Sequence, residues 1–122
     1  MMNKWPKYSH MKRYRLLDCN KEKLNTIGYH FAKSYCDEGE TLYMFKFPVY
    51  KYSDYCTLEA RLLTILETGE TRLDVYDVST HGVYAPWYIK DAAHEPIIQK
   101  INETISKTFQ KLHIKEIGNY ES

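Results

Sequence analysis

The pattern of hydrophobic and polar residues predicts several short strands and two helices. A first strand is predicted over residues 12–17, and a second over 42–50, where aromatic and β-branched residues predominate. Pro48 has no N–H to give a neighbouring strand, so we expect this strand to lie at a sheet edge or to carry a bulge there. A last short strand is predicted over residues 83–89.

Residues 57–67 fit two different structures. Leu58, Leu62 and Leu66 recur at helical spacing, but together with Ala60 they also fall on one face of a strand. A turn-like sequence follows at 67–70, and a strand-like stretch follows at 72–78. We therefore favour a β-hairpin over a helix.

Two helices are predicted from apolar residues at helical spacing. The first covers about 21–37, with Asn20 as its N-cap and Gly39 as its left-handed C-cap. The second has Pro96 in its first turn and ends at Gly118. Its apolar stripe consists of Ile98, Ile101, Ile105, Phe109 and Leu112.

The order of these elements, β-α-β-β-β-β-α, predicts an α+β fold. We expect an antiparallel β-sheet of four to five strands with two helices packed on one face. The domain is expected to span residues 12–118, after a flexible basic arm over residues 1–11. The chain has 122 residues, 43% of them hydrophobic, which is enough for one core. No apolar run is long enough to span a bilayer and no apolar secretory segment is visible, so we expect a cytoplasmic protein without a membrane partner.

The cysteines argue against a disulfide framework and against zinc. There are three of them, Cys19, Cys36 and Cys56, and no two lie close together in the sequence. Structural zinc sites normally present their ligands in close pairs. We expect no metal and no other cofactor.

Charge is nearly balanced overall but unevenly placed. The chain has 17 Lys and Arg against 16 Asp and Glu, which excludes a strongly basic or strongly acidic protein as a whole. The N-terminal part interleaves cations with aromatics, a mixture that suits phosphate contact and base stacking. The candidate nucleic-acid-binding residues are Lys4, Trp5, Lys7, Lys12, Arg13 and Arg15. Residues 37–77 are acidic, and either face a basic groove on another protein or form the ordinary solvent side of a sheet.

A catalytic constellation is hard to find. Asp74 and Asp77 look like a carboxylate pair, but a spacing of three puts them on opposite faces of a strand. His81 follows in a loop, so a small metal-assisted hydrolase using these three residues is a further alternative. No glycine-rich phosphate loop, nucleophile elbow or paired-histidine zinc motif occurs.

Tyrosine is the unusual feature of the composition, with 12 residues in 122. Its ring is apolar and its tip is polar, so it suits surfaces that bind other proteins. The segment from Tyr84 to Tyr88 packs three large aromatics around Pro86, and it forms either a docking site or an aromatic plug at one end of the core. The candidate protein-binding residues are Tyr50, Tyr52, Asp74, Asp77, Tyr84, Trp87 and Tyr88.

The run Leu73–Asp77, a short loop, the segment Tyr84–Tyr88 and the helix after it resemble small uncharacterised proteins of bacterial phages and mobile elements. The resemblance covers about residues 57–115. Some proteins of that setting are anti-CRISPR inhibitors, which act by occupying a partner's surface, so the resemblance implies binding rather than turnover. We therefore expect a non-enzymatic protein-binding module, an inhibitor of a nucleic-acid-handling host enzyme, which is a monomer or a homodimer. Nucleic-acid binding by the basic arm is the alternative.

Overall fold

The computed structural model describes residues 12–33, 39–53, 56–89 and 95–119. These residues form one sheet of seven strands and two α-helices. The strands are β1 (Lys12–Leu16), β2 (His30–Phe31), β3 (Leu42–Ser53), β4 (Cys56–Ile65), β5 (Glu70–Asp77), β6 (Gly82–Val83) and β7 (Ile114–Asn119). The helices are α1 (Lys21–Thr26) and α2 (Pro96–Leu112), and a short 3₁₀ turn covers Ala85–Tyr88.

The sheet is antiparallel throughout, with the strand order β2-β3-β4-β5-β1-β7. Strand β1 therefore lies between β5 and the final strand β7. Strand β6 pairs with the end of β5, on Tyr76 and Asp77, whereas β1 pairs with its beginning, on Glu70 and Thr71. The predicted α+β class and antiparallel sheet are confirmed, but the sheet has more strands than the four to five expected.

One face of the sheet carries the hydrophobic core. Alternate residues of the central hairpin are buried there: Leu58, Ala60 and Leu62 from β4, and Leu73 and Val75 from β5. The predicted stripe of α2 is buried against the same cluster, which also includes Leu24 of α1. Both helices therefore cover this face, and the residues that alternate with the buried ones form the opposite side, called the open face below.

The β4–β5 hairpin is confirmed, and the helical alternative for 57–67 is wrong. The two strands pair in continuous register from Leu58–Asp77 to Thr64–Thr71. Gly69 closes the turn with φ +79°, and a Cβ at this position would lie 2.6 Å from the carbonyl oxygen of Leu16. Glycine is required here because any side chain would collide with the neighbouring backbone.

The first helix is much shorter than predicted. Asn20 does cap it, since its side chain accepts the N–H of Lys23 at 2.8 Å, but α1 ends at Thr26 instead of residue 37. Gly28 stops the helix with φ +104°, and a Cβ there would lie 3.1 Å from the ring of Phe45. The helical interpretation of 28–33 was wrong because the chain turns at Gly28 and pairs with β3 as β2. Gly39 adopts φ +80° outside any helix.

The strand that contains Pro48 has a bulge there and also lies at a sheet edge, which were the two alternatives expected. The register of β3 shifts between Pro48 and Tyr50, as it does at a bulge. Ala32 donates its N–H to the carbonyl of Leu42 at 2.8 Å, so even-numbered residues of β3 turn their backbone groups toward β2. The nitrogen of Pro48 therefore faces the outer edge, where no residue that the structure describes pairs with β3 beyond Met44.

Two predictions near the C-terminus are wrong. The expected strand 83–89 stops at Val83, because Pro86 and its neighbours form the 3₁₀ turn. Helix α2 has Pro96 in its first turn as predicted, but it ends at His113, a left-handed C-cap with φ 62°, and not at Gly118. Gly118 lies in β7, which pairs with β1. Neither helix in the described part of the chain is long and apolar enough to cross a membrane.

Candidate docking surface

The open face of the sheet brings polar, charged and apolar side chains of three strands side by side. Cross-strand register places Lys46, Arg61 and Asp74 in one row. The next row contains Met44, Leu63 and Arg72. On the other side of the first row, Glu59 lies opposite Tyr76.

The carboxylates of this face are paired with arginines. Arg72 Nε lies 2.8 Å from Asp74 Oδ2, and Arg61 Nη2 lies 3.4 Å from Glu59 Oε2. Further along the face, Arg13 binds Glu70 Oε2 with Nη2 at 2.7 Å and Nε at 3.2 Å. Three carboxylates of the acidic stretch 37–77 are thus paired with arginines on the open face, while Asp37, Glu38 and Asp54 lie outside the described residues.

Cations outnumber carboxylates on the open face. By register and alternation, the cationic residues among those described are Arg13, Arg15, Lys46, Lys51, Arg61, Arg72 and Lys115. The acidic residues of the same face are Glu59, Glu70 and Asp74. The open face therefore favours an acidic partner, which is the opposite of the expectation drawn from charge along the chain.

Arg61 and Tyr76 form the aromatic part of this surface. The guanidinium carbon of Arg61 lies 3.8 Å from the centroid of the Tyr76 ring, a cation–π contact. Beside this pair is a small dimple of about 100 Å³, lined by Met44, Arg61, Leu63, Arg72, Asp74 and Tyr76. The contact with the ring limits the positions open to the guanidinium before any partner binds.

A wider groove of about 970 Å³ lies at the β2 edge and adjoins the open face. Its lining includes Phe31, which is 56% exposed, and the cationic side chains of Lys33 and Lys46. Met44 and Lys46 line this groove, and Met44 also lines the dimple. Groove and dimple are therefore neighbours that share Met44.

The aromatic segment 84–88 completes the hydrogen bonding of β5. In the gap between β1 and β6, Tyr84 donates its N–H to the carbonyl of Val75 at 2.8 Å. The Tyr88 hydroxyl accepts the N–H of Val75 at 3.2 Å and donates to Asp74 Oδ1 at 2.8 Å. Burial, and then the neighbouring charge of Asp74, raise the pKa of Tyr88 well above its ordinary value of 10.0.

The predicted docking residues of this segment serve the fold more than the surface. Tyr84 and Trp87 are half-buried and pack against the core, which matches the aromatic plug and not a projecting patch. Tyr50 also packs against the core, on the face that α2 covers, with Lys100 Nζ 5.9 Å from its ring. The side chain of Tyr52 lies outside the described residues. Of the predicted set, the structure brings Asp74 and Tyr88 together.

The residues proposed for metal-assisted hydrolysis do not converge. Asp74 lies on the open face, whereas Asp77 lies opposite Leu58 at the end of the hairpin. The Asp77 carboxylate accepts the backbone N–H of Ser79 at 3.0 Å and its hydroxyl at 2.6 Å, so it stabilises the turn. His81 is exposed, with φ 58°. Among the residues that the structure describes, no three His, Cys, Asp or Glu side chains come together to hold a metal ion.

The basic arm falls largely outside the structure. Lys4, Trp5 and Lys7 precede the first described residue. Lys12 Nζ lies 3.5 Å from Glu116 on β7, and Arg15 is exposed on β1. The three residues of the candidate nucleic-acid-binding set that are described, Lys12, Arg13 and Arg15, therefore belong to the sheet itself.

Of the cysteines, Cys19 is described with its side chain, and it is half-buried with its sulfur 4.0 Å from the carbonyl oxygen of Ile65. Burial raises the pKa of its thiol, so the thiolate that would bind a metal is disfavoured. Cys36 and the side chain of Cys56 lie outside the described residues.

The sequence analysis missed Arg61, Arg72 and Tyr76 as site residues. A signal for them was present: once Leu58, Ala60 and Leu62 are placed inward, residues 59, 61 and 63 must point outward. The same alternation on β5 turns Arg72 and Tyr76 to that face.

No protein-family model, curated protein or solved structure matches the chain.

Proposed function

We propose that the chain is a non-enzymatic protein-binding module that docks through the open face of its sheet. The observation that carries this proposal is the cluster of Arg61, Arg72, Tyr76 and Met44 on a face that neither helix covers. Arginine, tyrosine and methionine are enriched in the cores of protein interfaces, and arginine and tyrosine dominate binding hot spots.

A protein fits this face better than a nucleic acid does. Glu59, Glu70 and Asp74 are interleaved with the arginines, and each would meet the phosphates of a backbone laid across the sheet. Mixed charges with geometric pairing are typical of protein partners, where they suppress wrong partners and fix register. The aromatic turn at the edge of β5 fixes one residue of this face, since the Tyr88 hydroxyl donates a hydrogen bond to the carboxylate of Asp74.

The narrower proposal is that the partner is a nucleic-acid-handling host enzyme and that docking inhibits it. This proposal is supported by the sequence resemblance of residues 57–115. Once a partner is purified, its nuclease or nucleic-acid-binding activity is measured with and without the chain. Inhibition that disappears with an open-face variant supports the proposal, and unchanged activity at saturating chain contradicts it.

The docking proposal is tested by site-specific photo-crosslinking. A photoreactive amino acid is placed at position 46, exposed on the open face, and at position 107, exposed on α2. We expect a discrete adduct from position 46 only, and its loss when Tyr76→Ala is combined with it. Identical adducts from both positions, or none from position 46, would contradict docking through this face. With purified partner, Tyr76→Ala should weaken binding at least about tenfold, and Lys107→Ala should not.

Binding of nucleic acid by the N-terminal arm stays a separate alternative, because Lys4, Trp5 and Lys7 are not described. It predicts affinity for single strands that falls steeply with salt. Deletion of residues 1–10 should abolish that affinity, while an open-face variant such as Tyr76→Ala should keep it. Equal binding by the full-length and shortened chains would dispose of this alternative.

A further inference from the structure

We propose that the dimple beside Arg61 is a carboxylate-binding pocket, into which the protein partner inserts an aspartate or glutamate side chain. This inference rests on the proposed docking function and specifies the chemistry of the partner. It places one specific contact of the interface at the guanidinium group of Arg61.

Arg61 is held in place but uses little of its hydrogen-bonding capacity. Its guanidinium carbon lies over the Tyr76 ring, 3.8 Å from the ring centroid, and its one described ion pair, with Glu59, is long at 3.4 Å. Its Nε is buried and has no hydrogen-bond partner among the described residues. Arg61 also lines the dimple, so a carboxylate that enters it meets a guanidinium that has hydrogen-bonding capacity left over.

The size and lining of the dimple suit a short acidic side chain. Its volume of about 100 Å³ is that of a few water molecules, so it admits one side-chain end and not a ring system. Met44 and Leu63 provide apolar walls for methylene groups, and Arg72 provides a second cation. A carboxylate can bind a guanidinium through two parallel hydrogen bonds, which is the strongest form of this contact.

Asp74 makes the pocket selective. It lines the dimple, its side chain is only 16% exposed, and it is already bound by Arg72 and Tyr88. A single carboxylate adds only one negative charge beside Asp74, whose own charge is already paired with Arg72. A run of phosphodiesters would carry further negative charges past Asp74 and Glu59, so a nucleic acid is disfavoured here.

Arg13 provides a matched control on the same face. Its Nε and Nη2 both bind Glu70 Oε2, at 3.2 and 2.7 Å, so it is already engaged with a carboxylate. If charge alone attracted an acidic ligand, the two arginines would respond alike. The pocket predicts that only Arg61 responds.

The experiment is an NMR titration of the full chain, with ¹⁵N-labelled arginine, against a hexaglutamate peptide. We expect saturable shifts of the Arg61 Nε–H signal and no saturable shift for Arg13. Arg61→Lys, which keeps the charge but loses the planar fork, should weaken binding at least about tenfold. Arg13→Lys should change it less than about twofold. The backbone spectrum of each variant establishes that it is folded.

In the titration, the pocket is overturned by the absence of a saturable shift at Arg61, or by tighter binding of decathymidylate or inorganic phosphate than of the peptide at the same site. Failure of the docking function gives a different result. If position 46 crosslinks to no partner but the peptide still binds Arg61, the pocket stands without the docking function. If a partner crosslinks and Arg61→Lys binds it as well as the natural chain does, the docking function stands and the pocket is wrong.

Discussion

The hydroxyl of Tyr88 takes the place of a strand partner, and Tyr88→Phe tests this role by deleting one oxygen atom. The hydroxyl accepts the N–H of Val75 at 3.2 Å and donates to Asp74 at 2.8 Å. The ring itself stays, so the packing of the aromatic turn against the core is kept. The change therefore removes both of these hydrogen bonds and keeps the ring.

The expected loss of stability depends on the hydrogen bonds that Val75 and Asp74 still make without the Tyr88 hydroxyl. Val75 is fully buried at 0% exposure, and an orphaned buried N–H costs about 1–3 kcal/mol. Asp74 loses less, because its side chain is 16% exposed and keeps Arg72 at 2.8 Å. We expect a total of about 2 kcal/mol. For a chain of this length that lowers the Tm by about 8 °C.

The assay is thermal and urea unfolding followed by circular dichroism. Tyr50→Phe is the matched control, since the described residues show no hydrogen bond to the Tyr50 hydroxyl. A Tm for Tyr88→Phe within about 2 °C of that control would refute the structural role of this hydroxyl, because it corresponds to less than about 1 kcal/mol.

The same variant makes a pH prediction. Burial raises the pKa of Tyr88 above its ordinary 10.0, so the folded chain keeps the phenol protonated where the unfolded chain loses the proton. The contribution of the Tyr88 phenol to the free energy of unfolding is therefore complete below about pH 10 and declines as the pH rises above it. We expect the stability difference between the natural chain and the Tyr88→Phe variant to shrink above about pH 10. A difference that stays constant from about pH 8 to about pH 11 would contradict the argument.

Three further substitutions test the fold by urea unfolding. Ile101→Ala, at a position with no exposure in α2, should cost about 3 kcal/mol, and a loss under about 1 kcal/mol would mean that the helix is not packed as described. Gly69→Ala should cost about 2 kcal/mol or more, because the new Cβ collides with the carbonyl oxygen of Leu16. Gly39→Ala is the control: φ is also positive there, but no described atom lies near the new Cβ, so it should cost only about 1 kcal/mol. Equal losses for the two variants would contradict the collision. Asn20→Ala should cost about 1 kcal/mol by removing the cap of α1, and no change would show that the cap does not stabilise the fold.

Sequence pattern was sufficient where an element is long and its burial is regular. The five buried residues of α2 recur every three or four positions, and the β4–β5 hairpin alternates strictly around a turn that needs glycine. Both were predicted because the spacing of apolar residues within each element is enough to identify it. The N-cap at Asn20 and the bulge at Pro48 belong to the same class, since each follows from one residue's hydrogen-bonding groups.

The missed elements are those that depend on a distant partner. Strands β2 and β6 have two residues each, too few for any period, and they exist because β3 and β5 pair with them. Strand β7 was read as the end of α2, because only the left-handed turn at His113 separates them. Apolar spacing continued past Gly28 and suggested a longer helix, but packing against Phe45 decided the backbone there.

The candidate surface was missed for an electrostatic reason. Counting charges along 37–77 gives an acidic segment, yet Glu59, Glu70 and Asp74 are each paired with an arginine across or along the sheet. Two of these arginines lie within the same stretch, and the third, Arg13, is 57 residues away from Glu70. The two pairs within the stretch follow from strand alternation, which puts residues two apart on one face, whereas the Arg13–Glu70 pair could be predicted only once β1 was known to lie beside β5.

This pairing divides the open face into two kinds of cation. Arg15, Lys46 and Lys115 are exposed, and at long range they supply the attraction toward an acidic partner, which salt weakens. Arg61 is restricted by Tyr76 and acts only at contact, where a desolvated carboxylate changes the dissociation rate more than the association rate. Loss of an exposed lysine should therefore slow binding, whereas loss of Arg61 should shorten the lifetime of the complex. An interface held by diffuse charge alone would show no such division.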